Sequence, residues 1–119
     1  MAQSAGLHES ADDLSADVVD RHRANTSLQE ELEAIDWYDQ RVAATGDEEL
    51  AAVLSHNRDD EKEHAAMTLE WLRRRDPALD EQLRKYLFTS GAITALERGP
   101  ADGGAADGSL GIGGLRGAS

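Results

Sequence analysis

Residues 47–76 read DEELAAVLSHNRDDEKEHAAMTLEWLRRRD, and the reading of this stretch decides the fold. Leu50, Val53 and Leu54 open it and Trp71 and Leu72 close it, with apolar residues three and four apart as on one face of an α-helix. Asp47 stands where an N-cap belongs, and Glu48 and Glu49 put negative charge at the positive end of the helix dipole. The far end is set by Asp76-Pro77, because proline disfavours the α conformation in the residue before it. Arg73, Arg74 and Arg75 complement the negative dipole end there, which accounts for them without a partner. Continued from Leu54 at the same spacing, the stripe meets Asn57, Glu61, His64 and Thr68 before it reaches Trp71. An acid and an imidazole thus fall where the pattern asks for hydrophobes, in the form Glu-x-x-His. A buried carboxylate is costly unless it is paired or coordinates a cation, so this placement asks for a compensating partner.

Upstream, the same periodicity predicts a first helix from about Ser10 to Ala44 with the stripe Leu14, Val18, Leu28, Leu32, Ile35 and Val42. Ser10, three before Asp13, reads as a capping box, and Gly46 as the left-handed stop. The connection between the two helices is so short that they must fold back on each other. Downstream, a shorter helix is expected over roughly 78–88, carrying Leu79, Leu83, Tyr86 and Leu87, with AITALE at 92–97 adding a last turn. Residues 1–98 read as one helical domain. At 99–108 the composition changes to GPADGGAADG, expected to be a flexible tether because it has too few apolar groups to offset its ordering entropy. Apolar residues return at 109–119, where Leu110, Ile112 and Leu115 are separated by glycine as in a short docking peptide.

The whole chain has 119 residues, a net charge of −12 and no cysteine. The missing thiols exclude a disulfide framework, cysteine-ligated zinc and a cysteine nucleophile. The negative charge opposes nucleic-acid binding and concentrates cations at the surface. No apolar run approaches the length of a membrane span, and the N-terminus lacks a signal-peptide pattern, so the expectation is a cytoplasmic protein with no membrane contact.

Two long helices with a small flap cannot enclose a core, since each has only one neighbour. A second copy related by a two-fold axis would supply the missing neighbours and make a four-helix bundle. Residues equidistant from the turn at 45–46 lie level in the hairpin, and Glu31 and Glu61 are such a pair, with His64 one turn away. Carboxylate-bridged di-iron bundles use four Glu and two His, a Glu from each of two helices and a Glu-x-x-His from each of the others. This chain carries half of that set, and a dimer would complete it with donors suited to Fe, Mn or Zn. The competing reading leaves Glu61 and His64 exposed or paired with arginine.

These residues resemble a known family. EELEAIDWYDQR at 30–41, HNRDDEKEHAAMTLEWLRRRD at 56–76 and the LGIGGLRG ending are together similar to the encapsulated ferritins, ferritin-like proteins packaged inside encapsulin shells. The resemblance covers roughly Val18 to Glu97 and the tail peptide. It implies an all-α fold in which an antiparallel hairpin plus a short C-terminal helix dimerises into a ferritin-like four-helix bundle. It implies that Glu31, Glu61 and His64 are ligands of a di-iron ferroxidase centre shared between two subunits, with Trp37 and Tyr38 close by and Glu30 and Glu33 forming an uptake site for iron. It further implies that Fe2+ is oxidised by O2 or peroxide, that dimers form an open ring, a decamer, and that the encapsulin shell around it stores the iron. Plainer roles compete at some positions: Trp37 and Tyr38 as packing groups, Glu30 and Glu33 as a solvated face. The rival functions are a helical adaptor without enzymatic activity and a metal buffer, either docked by the C-terminal peptide.

Overall fold

The computed structural model describes residues 6–98, and among them it contains helices and no strand. Helix α1 spans Ala16–Ala44, α2 spans Glu48–Arg75, and α3 spans Pro77–Tyr86, with 3-10 turns at Ala11–Asp13 and Ile93–Arg98. The chain divides between Arg75 and Asp76 into two compact units, a subdivision of the single helical domain expected over residues 1–98. The first is the α1–α2 hairpin; in the second, α3 contacts the final 3-10 turn. The stretches expected to be a tether, 99–108, and a docking peptide with Leu110, Ile112 and Leu115, lie outside the described residues.

Helix α1 begins later than its sequence suggested. Two serines compete to start it, and Ser10 caps only the short 3-10 turn, its hydroxyl accepting from the Asp12 amide. Leu14 then takes an extended conformation, and Ser15 becomes the N-cap of α1 by accepting from the Val18 amide at 3.2 Å. The start of α2 is as expected: the Asp47 carboxylate accepts from the Glu49 and Leu50 amides at 2.9 and 3.1 Å. Asp76 repeats the device for α3 by accepting from the Leu79 amide at 3.0 Å, with Pro77 in the first turn where its missing N–H costs nothing. The end of α3 is also corrected, because Leu87 is extended and Phe88 turns left-handed at φ 61°, so the helix stops at Tyr86.

The turn between α1 and α2 is built by side chains and not by glycine conformation. Thr45 leaves α1 in extended backbone, and its hydroxyl accepts from the Asp47 amide at 3.1 Å. Gly46 lies outside the left-handed region, which corrects its expected role as the helix stop, and a Cβ there would meet nothing within 4 Å. Gly46→Ala is therefore expected to stabilise the fold by about 0.4–1 kcal/mol through the unfolded chain. Asp47→Ala, which strips the α2 cap, is expected to cost about 1 kcal/mol. Thermal melts followed by circular dichroism check both signs; a glycine-specific conformation would make Gly46→Ala destabilising instead.

Burial in the hairpin is sparse. Only Ala65 and Leu72 are buried among the described residues, while Leu32 and Val53 in the apolar stripe remain 54% and 52% exposed. Leu28, Ile35, Val42 and Leu54 are half-buried. At 1.5 Å per residue these helices are roughly 40 Å long, and each has a partner on one side only, so much of each stripe faces outward.

Candidate metal centre

Glu31 on α1 and the pair Glu61 and His64 on α2 are held by the regular hairpin. One turn of α2 places Glu61 and His64 on one face, with Glu61 Oε1 3.6 Å from His64 Nδ1. That separation is too long for a hydrogen bond and leaves both groups as available donors. The side chain of Glu61 is 27% exposed and that of His64 48%, so the imidazole is less enclosed than the stripe predicted. The physical reason is the one-sided packing of the hairpin, which covers the α2 face next to α1 and leaves its continuation open.

Glu31 is placed differently. Its Oε2 accepts from the Thr68 hydroxyl at 3.4 Å, while its Oε1 is buried with no hydrogen-bond partner. Such an orphaned acceptor costs about 1–3 kcal/mol, and more when charged. A cation would satisfy it, and carboxylate oxygens with an imidazole nitrogen make a donor set suited to iron. The residues present therefore fit a metal, but within one chain no three His, Asp or Glu side chains among the described residues gather into a group able to hold one.

Side-chain direction explains why Glu31 on α1 reaches Thr68 on α2, which lies farther from the turn. In a helix each Cα–Cβ bond leans toward the N-terminus, and in an antiparallel pair those leans are opposite. Level residues therefore send their tips apart, and an α1 tip meets an α2 residue that lies farther from the turn than itself. Two cross-hairpin contacts follow this offset: Thr68 with Glu31, and Arg58 donating to Asp39 at 3.0 Å.

The alternative of arginine pairing finds other carboxylates. Arg58 bridges Asp39 and Asp59, whose hydrogen bonds raise its pKa above the ordinary arginine value. Arg73 and Arg74 both grip Glu70, at 2.7 Å each, and these hydrogen bonds lower its pKa to about 2. Trp37 is 47% exposed and Tyr38 half-buried, with the Arg41 guanidinium 6.0 and 5.6 Å from their ring centroids. They stand six and seven residues along α1 from Glu31, about 9–10 Å in axial rise. Glu30 and Glu33 are exposed, flanking Glu31 in sequence.

Sequence reasoning missed the role of Thr68, although its position in the apolar stripe after Glu61 and His64 was the available signal. It missed the Arg58–Asp39 bridge because neither residue belongs to a stripe. An open groove of about 490 Å³, lined by Asp20, Arg23, Met67, Thr68 and Trp71 among others, runs along the hairpin past Thr68.

A family model described as EncFtn-like matches residues 6–90. The chain belongs to this family of encapsulated ferritins. Among relatives of this EncFtn-like chain is the encapsulated ferritin-like protein of Rhodospirillum rubrum, 58% identical over 98% of this chain and 93% of the relative. A ferritin-like protein of Thermotoga maritima is 54% identical over 76% of this chain and 79% of the relative. An encapsulin nanocompartment cargo protein of Myxococcus xanthus is 41% identical over 56% of this chain and 55% of its own length. The EncFtn-like fold is also seen in a crystal structure of a Nitrosomonas europaea protein, with a TM-score of 0.72 and 59% identity over 74% of this chain and 97% of that one. No helix among the described residues of the EncFtn-like chain is long and apolar enough to cross a membrane.

Proposed function

We propose that this chain is a ferroxidase working inside an encapsulin compartment, with its di-iron centre completed only when two copies meet. The observation that carries the reading is the buried, unpartnered Glu31 Oε1 on α1, whose Oε2 meets Thr68 one turn beyond the Glu61-x-x-His64 pair, in a chain of the EncFtn-like family. One chain brings half of the donor set, and its apolar stripe is left half uncovered. A second copy would cover the stripe and bring its own Glu31, Glu61 and His64 to the same centre. The encapsulin shell as outer partner belongs to the same proposal and is supported by the family and by the names of its relatives. The assembly of further dimers into an open decameric ring is the part of the proposal that rests on the sequence resemblance alone.

Iron is the substrate. Glu31 and Glu61 enter as carboxylates and His64 as neutral imidazole, because protonated groups cannot donate to a cation. Two Fe2+ ions each lose one electron, and O2 takes that pair with two protons to give hydrogen peroxide; with peroxide as oxidant the product is water. The protein need only hold the two ions close, offer oxygen-rich donors that favour the higher charge, and release Fe3+ to the shell interior. Trp37 and Tyr38 stand about two turns along α1 from Glu31, and Glu30 and Glu33, its neighbours in sequence, supply negative charge at the surface. Stopped-flow absorbance with oxygen-electrode recording tests the proposal. Fe2+ oxidation coupled to oxygen uptake is expected; stoichiometric iron binding without oxygen or peroxide consumption contradicts it and leaves a metal buffer.

A further inference from the structure

Thr68 lies one turn beyond His64 on α2, and its hydroxyl faces acceptors on both helices: Glu31 Oε2 at 3.4 Å and the His64 carbonyl at 3.1 Å. A threonine hydroxyl has one proton, so it can donate to one of these oxygens at a time. The β-branch restricts χ1 in a helix, and the rotamer that reaches back to the carbonyl four residues earlier also keeps Oγ1 toward α1. The two acceptors therefore compete for one proton, and when it is given to Glu31 the carboxylate is held next to the turn that carries Glu61 and His64. It also makes the two carboxylate oxygens of Glu31 inequivalent, since Oε2 has a neighbouring donor and Oε1 is buried with none.

We infer that Thr68 is a positioning residue for Glu31: its hydroxyl retains Oε2 against the His64 turn and so reserves Oε1 as the oxygen offered to a divalent cation. The inference rests on the proposed metal centre, with Glu31 as one of its ligands. A threonine that only filled space would be replaced without loss by valine, which has the same branched shape. Removing the hydroxyl leaves the carboxylate free to rotate, and that freedom must be lost again when the cation binds. Loss of a group that orients a metal ligand typically lowers metal affinity about 10- to 100-fold.

The test uses the full chain with Co2+ as a redox-inert probe, comparing wild type, Thr68→Val, Thr68→Ser and Glu31→Ala by calorimetry and by the visible spectrum of the bound ion. Thr68→Val is expected to weaken Co2+ binding by about 10-fold and to change the spectrum, while the metal-free melting curve stays close to wild type. Thr68→Ser, which restores the hydroxyl, is expected to recover most of the affinity. If valine disturbs the fold, Thr68→Ala removes the hydroxyl without the branch and is read in the same way. Wild-type affinity and spectrum in the hydroxyl-free variant overturn the inference, as does a serine variant as weak as valine. If that occurs while Glu31→Ala loses Co2+, the metal centre stands and only the role of Thr68 falls. If Glu31→Ala still binds Co2+ like wild type, Glu31 is no ligand and both readings fall.

Discussion

Glu61→Ala and His64→Ala are each expected to abolish rapid Fe2+ oxidation while leaving helix content intact. The two side chains share one face of α2, with Oε1 and Nδ1 3.6 Å apart, and neither supports the hairpin by packing in a closed core. In the proposed centre each residue would count twice, once from each copy, so its loss would remove two donors. The rate should fall by at least about 100-fold, because two metals held by shared ligands act together or not at all. The metal-free fold should hold or gain stability, since a group of carboxylates brought together by dimerisation repels itself until a cation arrives. Stopped-flow oxidation and circular dichroism on the same samples check both parts. Near-normal rates in both variants would remove Glu61 and His64 from the centre.

Deleting residues 109–119 is expected to abolish co-purification with a co-expressed encapsulin shell while leaving Fe2+ oxidation and oligomer size unchanged. Leu110, Ile112 and Leu115 are the large aliphatic residues of that segment, and each can contribute roughly 1.5–3 kcal/mol if fully buried in a receptor groove. Ordering the peptide offsets much of this, so a single tail should bind modestly and retention should come from many tails on one ring meeting one shell. Density-gradient separation of shells followed by detection of the cargo gives the readout. Truncated protein that still travels with the shells would place the docking signal on the helical body.

The hairpin could be read from sequence because its signals are local. Asp47 acts on amides within three residues of itself and caps the helix its position announces, and Asp76-Pro77 ends α2 as expected, while the capping of α3 by the Asp76 carboxylate went unread. The start of α1 was misplaced because Ser10 and Ser15 are both competent caps, and the choice between them depends on the extended backbone at Leu14. Gly46 was given a conformational task that Thr45 and Asp47 perform with side-chain hydrogen bonds. For the site, spacing put Glu61 and His64 on one face, since that depends only on the helical period. The partner of Glu31 escaped because register arithmetic counts Cα positions, whereas contacts are made by tips that lean in opposite directions on antiparallel helices. Burial was overestimated for a related reason: a hydrophobic period tells which face seeks cover, not whether one chain alone provides it. Leu32 and Val53, both more than half exposed, mark where that cover is missing.

A centre completed by two copies ties metal binding to association, because whatever binds only the assembled state favours it by its own binding free energy. Sedimentation of the full chain under anaerobic conditions, with Fe2+ titrated from zero, measures that link directly. The expected result is a metal-driven shift from smaller to larger species that saturates at one iron per chain, two for each pair. A chain that binds two irons by itself, with no change in sedimentation, would contradict a centre shared between subunits.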